Sequence, residues 1–326
     1  MPSLAARIIH RLVPHVHRRD ALGRLLDGTI EQSSARPGPT VRHVAEVSYR
    51  AVDGFGVWQL HPKKPNPDAP HIVFVHGGGF VNGFDARHWQ FLAALIESTG
   101  ARVTALDYPF TPTYTADQTV PWTFDRVREV LLAEQGVRNV VIMGDSAGAA
   151  LGLTVAMMAR DERLPAPERL ILLSPWLDLG LAHDWYIDPP DDASNTIKLS
   201  AQRAGRTYAG DWAVNDWRVS PLFGDLRGLP TISVFAGSND LLLIETTQLV
   251  DRAEEQGVGI TVHEEPHMVH TWMFYQFLPE ARRTMRHIAA DVLRASHTST
   301  VRVKHGSRIP AVRVRPEPVT RVRTPS

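Results

Sequence analysis

The sequence predicts an α/β fold: a mostly parallel sheet with helices on both faces. Three observations predict it. Short β-branched runs recur along most of the chain, longer helix-like stretches separate them, and the 326 residues suffice to bury one large core.

The elements follow in order. Leu4, Ile8, Ile9, Leu12, Val13 and Val16 recur at helical spacing among Arg7, Arg11, Arg18 and Arg19, which reads as a basic amphipathic helix near the N-terminus. His10 and Arg11 interrupt its apolar run, so it does not read as a signal peptide. No stretch approaches the roughly 20 apolar residues of a membrane span. Residues 41–61 alternate like strands around Asp53-Gly54, a hairpin signal. Core strands are then expected at His71–Val75, Arg102–Leu106, Asn139–Met143, Arg169–Leu173, Thr231–Phe235 and Gly259–His263. Pro175–Leu229 breaks the rhythm. It carries no obvious sheet strand and is too long for an ordinary connection, so it is expected to fold as a helical insertion over the strand ends. Residues 1–295 are read as one domain, with a cap from about 1–40 and 176–228. Residues 296–326, with seven Lys or Arg, are read as a basic disordered tail.

Composition excludes several classes. Lys plus Arg equals Asp plus Glu at 35 each, so no global charge favours nucleic acid. Cysteine is absent, which removes disulfides, thiol nucleophiles and thiolate metal sites. A cytoplasmic location is expected. The 15 His show no metal-ligand spacing, and no GxGxxG follows the first core strand, so neither metal nor nicotinamide is expected and no cofactor is assigned.

The chemistry concentrates at strand ends. Gly144-Asp145-Ser146-Ala147-Gly148 lies between an apolar strand and a helix-like stretch, the context in which a nucleophilic Ser is raised on a sharp turn. A side chain at Gly144 or Gly148 is expected to clash with the neighbouring strand and helix. His76-Gly77-Gly78-Gly79-Phe80 ends the first core strand and offers open backbone N–H groups. Gly78, Gly79 and Ala147 are assigned as donors to a developing oxyanion. His76 is read as bracing that loop. A Ser hydroxyl needs a base and an orienting acid. Asp240 lies on the turn after one core strand, and His263, His267 and His270 cluster around the end of the next. His263 is placed within the strand, and His270 is favoured over His267 because it opens the passage into Thr271-Trp272-Met273. Asp178 and Asp184, which lie in or near the insertion, compete less well with Asp240. The order Ser146, Asp240, His270 is the one expected of this strand-turn-helix arrangement.

HGGGF, GDSAG, the Asp240 turn, the Met268-Val269-His270 end and SPWLDL at 174–179 together resemble the hormone-sensitive-lipase-like esterases, bacterial family IV, over about residues 70–290. The resemblance implies an eight-stranded α/β-hydrolase with a helical cap, no cofactor, and activity on short-chain acyl esters. One segment departs from it. Asp107 and Tyr108 match, but the following Arg and Ala-Pro-Glu of the family pattern are missing from 107–122, so the pocket is expected to differ. The same residues would serve an amide deacetylase or a lactone hydrolase. A non-catalytic receptor of this family would lack the His that is present here. The expected partner is a small-molecule ester, with homo-oligomerisation left open. Trp176, Trp185, Trp212 and Trp217 in the insertion would either line an apolar pocket or glue the cap to the body.

Overall fold

The computed structural model describes Ser3 and residues 21–136, 139–181 and 192–294, the side chains of 192–196 excepted. The expected N-terminal helix at 4–16, Asp184, Trp185 and the tail at 296–326 lie outside the described residues.

The predicted parallel sheet forms, with an antiparallel start. Strands β1 (Ala45–Val52) and β2 (Phe55–Pro62) make the hairpin, and β3 (His71–Val75), β4 (Val103–Asp107), β5 (Val140–Asp145), β6 (Arg169–Leu173), β7 (Thr231–Gly237) and β8 (Ile260–Glu265) follow. The order is β1-β2-β4-β3-β5-β6-β7-β8. Pairings from β4 to β8 are parallel, and only those made by β2 are antiparallel. The hairpin begins later than the alternation suggested. Residues 41–44 belong to a short helix, α2 (Pro39–Val44), because Pro39 in its first turn supplies a fixed helical φ and needs no amide partner there.

The alternation of the central strands sorts two apolar layers. Val73, Val75, Ile142, Leu170 and Leu172 face one core, while Ile72, Phe74, Val141, Met143, Ile171 and Leu173 face the other. The first layer is closed by α4 (Ala116–Ala133), α5 (Ala147–Asp161) and α7 (Leu243–Glu255), the second by α3 (Ala86–Thr99) and α8 (Pro279–Arg294). Helix α5 is buried nearly all round, which its Ala- and Gly-rich sequence permits at close range to β3 and β5.

Above the strand ends, the insertion contains α6 (Asp192–Ala209) and a 3-10 turn at Pro221–Phe223. Helix α6 packs on α1 (Ala21–Leu26), and an Arg203–Asp27 ion pair joins the two. Pieces from both ends of the expected cap therefore meet. Trp176 is buried in the core, and Trp212 lies beneath the Arg218 guanidinium at 3.8 Å, so these two act largely as packing.

Candidate active site

The residues at the C-terminal ends of β3, β5, β6, β7 and β8 converge because these strands are neighbours in a parallel sheet. Ser146 follows β5 directly, with φ 51° and ψ −121°, a backbone that non-glycine residues avoid. The glycines around it are required by close approach. A Cβ on Gly144 would stand 2.4 Å from the Gly148 carbonyl oxygen, and one on Gly148 would stand 2.2 Å from that of Val75. Bulk at either position would push helix α5 away from the strand ends.

His270 lies between the two other candidates. Its Nδ1 is 2.9 Å from Asp240 Oδ2, and its Nε2 is 2.9 Å from Ser146 Oγ. An ionised carboxylate only accepts, so in the neutral ring Nδ1–H donates to Asp240 and Nε2 is free to accept the Ser146 proton. Burial disfavours the imidazolium, but the Asp240 carboxylate outweighs it and raises the His270 pKa above its ordinary value. Burial likewise opposes the Asp240 charge, and His270, with bonds from the Leu242 amide and Ser174, brings its pKa below the usual carboxylate value.

The competing candidates are placed elsewhere. His263 is in β8 and pairs with Asp291 at 3.0 Å. His267 is exposed at φ 64° and contributes its backbone N–H to Ser238 Oγ. Asp178 is buried and accepts the Gly180 N–H at 2.8 Å.

The glycine loop after β3 lies beside the elbow. Gly78 and Gly79 have φ of 116° and 65°, and a Cβ on Gly79 would meet the Leu22 side chain of α1 at 2.7 Å. Among the described residues, nothing accepts a hydrogen bond from the backbone N–H of Gly78, Gly79 or Ala147. That leaves three donors at the loop and the helix N-terminus, where the α5 dipole adds partial positive charge. His76 is fully buried, stacks on Tyr108 with ring centroids 4.2 Å apart, and donates from Nδ1 to the Gly77 carbonyl at 2.6 Å. Burial lowers its pKa to about 3, so it is neutral and fits the bracing role.

Sequence reasoning missed several supporting residues. Asp145 accepts the Gly77 N–H at 2.8 Å, tying the glycine loop to the elbow, and its carboxylate fills the space that a Cβ on Gly77 would need. Buried His88 lies with Nδ1 3.1 Å from Asp85 and Nε2 3.5 Å from Asp145. Burial disfavours its charge, yet Asp145 and Asp85 raise its pKa to about 9. Glu245 is wholly buried in the first turn of α7 and accepts the backbone N–H groups of Leu177 and Asp178. The presence of Asp in GDSAG was a visible signal; the pairings of His88 and Glu245 were not. In the departing segment, Tyr108 donates its hydroxyl to the His76 carbonyl at 2.9 Å and Asp107 accepts from Ser34 at 2.7 Å.

The model of the alpha/beta hydrolase fold family matches residues 72–274. The chain belongs to the α/β-hydrolase family. This α/β-hydrolase is 33% identical over 227 residues to a triacylglycerol lipase of Mycobacterium tuberculosis, covering 70% of this chain and 47% of that one. It thus spans about half the length of that relative. To an esterase of Acinetobacter venetianus it is 31% identical over 231 residues, covering 69% of this chain and 76% of the relative. Its fold is similar to that of a hormone-sensitive lipase from a metagenome library, with TM-score 0.73, 23% identity, and coverage of 88% and 97% of the two chains. The α/β-hydrolase fold that the motifs implied is therefore the one observed. Among the described residues, no helix of this α/β-hydrolase is long and apolar enough to cross a membrane, and no cluster of His, Asp and Glu could hold a metal ion.

Proposed function

We propose that the protein is a carboxylic ester hydrolase acting on short-to-medium acyl esters, with Ser146 as nucleophile, His270 as base and Asp240 as the orienting acid. The single observation that carries this reading is the continuous line from Asp240 through His270 to Ser146, with both links at 2.9 Å. As Ser146 Oγ attacks the ester carbonyl, its proton passes to His270 Nε2 and Asp240 stabilises the imidazolium. The carbonyl oxygen becomes an oxyanion received by the N–H groups of Gly78, Gly79 and Ala147. The imidazolium then protonates the departing alkoxide, leaving an acyl-Ser146. Water, deprotonated by His270, attacks that acyl group, and the acid is released.

The esterase and lipase named among the relatives support the ester linkage. The short-to-medium chain range rests on the family resemblance. Helices α1 and α6 act as the cap, with Leu22 set against the glycine loop.

The test is hydrolysis of p-nitrophenyl esters from acetate to long-chain acyl groups by the native chain and by Ser146→Ala. Cleavage of short and medium esters by the native chain alone supports the proposal. Inactivity towards every ester moves an amide or lactone substrate forward, and equal cleavage by both proteins removes Ser146 as nucleophile.

A further inference from the structure

Ser174 follows β6 directly, and β6 lies between β5, which carries Ser146, and β7, which carries the Asp240 turn. The sheet order therefore places it between the loops that carry Ser146 and Asp240. Its surroundings are specific. The Ser174 N–H donates to the Phe235 carbonyl at 2.7 Å, the preceding carbonyl of Leu173 accepts the Ser146 N–H at 2.9 Å, and the Trp176 N–H donates to the Ser146 carbonyl at 3.2 Å. Its hydroxyl oxygen accepts the N–H of Thr271, the residue after His270, at 3.0 Å.

A hydroxyl that accepts through oxygen still has one proton to donate. Ser174 is 1% exposed, and its hydroxyl is one of the causes that lower the pKa of the Asp240 carboxylate, the group its remaining proton is set to meet. The backbone sharpens the point. Ser174 sits at φ 45°, where glycine is free of strain and a side chain is not. Backbone shape alone would be served better by glycine, so the hydroxyl is the reason for a serine.

We propose that Ser174 is a positioning residue, whose hydroxyl holds the Asp240 carboxylate and the backbone after His270 in fixed relation so that His270 Nε2 stays on Ser146. This rests on the reading of Ser146, Asp240 and His270 given above. Removing the hydroxyl takes a proton donor from Asp240, leaves the carboxylate more basic, and so strengthens its hold on the imidazolium. It also leaves the Thr271 N–H without its acceptor, which loosens the base loop.

The experiment compares the native chain, Ser174→Ala, Ser174→Gly and Ser146→Ala on a short p-nitrophenyl ester across pH, with NMR titration of His270 in each resting protein. Both Ser174 variants are expected to lose about tenfold in kcat with little change in KM, as when a group acts only on the chemical step. Both should also move the acid limb of kcat/KM and the His270 titration to higher pH. Ser174→Gly, which suits the backbone, keeps the test open if the alanine variant is unstable. Native kcat and an unmoved or lowered His270 titration in both variants overturn the proposal. So does native behaviour of the glycine variant alone, or loss of the fold in both. If the native chain cleaves no ester, or Ser146→Ala cleaves equally well, the ester reading fails instead, and the His270 titration still judges Ser174.

Discussion

At the scale of single residues, the proposed role of His270 as base ties activity to its protonation. The base must be neutral, and Asp240 raises its pKa above the ordinary His value. Activity should therefore fall as pH drops through a value above about 6.5, measured as the acid limb of kcat/KM. Replacing Asp240 by Asn offers Nδ1 a donor as readily as an acceptor and permits the wrong tautomer. Asp240→Asn should lower kcat by about 10³–10⁴-fold, the scale of orienting-acid loss in other triads. His267 contributes a backbone N–H to Ser238 and lies exposed, so His267→Ala should leave kcat within about twofold, as expected for a surface side chain. A large loss in that variant would move the base to His267.

At the scale of elements, the elbow is held by contact between β3, β5 and helix α5. A Cβ at Gly148 would overlap the backbone carbonyl of Val75, where no flexible side chain can yield. Gly148→Ala should destabilise the fold by about 1–3 kcal/mol, the usual range for an overpacked site, and a thermal melt would read it. Helix α3 shows the complementary case at a helix start. Asp85 caps it by accepting the N–H groups of Arg87 and His88 at 2.8 and 3.2 Å. Asp85→Ala should cost about 1 kcal/mol for the lost cap. The central strands were legible as short continuous apolar runs because each is buried on both faces. The start of the hairpin was not, since Val41 and Val44 suit a strand or a helix and Pro39 settled the matter.

For the whole molecule, pH should act on stability and on activity in opposite directions through His270. The folded pKa of His270 is raised, so its contribution to stability is fully present below about 6.5 and is lost as pH rises through the folded value. Asp240 has a lowered pKa, so its contribution is present above the unfolded carboxylate value and is lost as pH falls through the folded one. The Tm difference between the native chain and His270→Asn should be largest in the mildly acid range where activity is failing, and should shrink as pH rises. A difference that grew with pH would contradict the pairing. Across the molecule, α1 and α6 are about 170 residues apart in the chain yet pack together over the glycine loop. The Arg203–Asp27 pair between them is exposed on both sides, so burial of Leu22 and its neighbours matters more than this charge pair.

The sequence by itself determined the parallel α/β architecture, the order of the strands along the chain, the elbow at Ser146, the glycine loop, and the short list of candidate acids and bases. These follow from local causes: strand and helix periods, glycine where backbone crowds, and a polar residue just beyond an apolar run. Tertiary structure decided that His270, among three nearby His, lies against Ser146 and Asp240, and that Asp145, Ser174 and Glu245 join neighbouring loops. It also decided that Leu22 leans on Gly79. Those contacts depend on which strands are neighbours in the sheet, and side chains 30 to more than 120 residues apart meet only once that order is set.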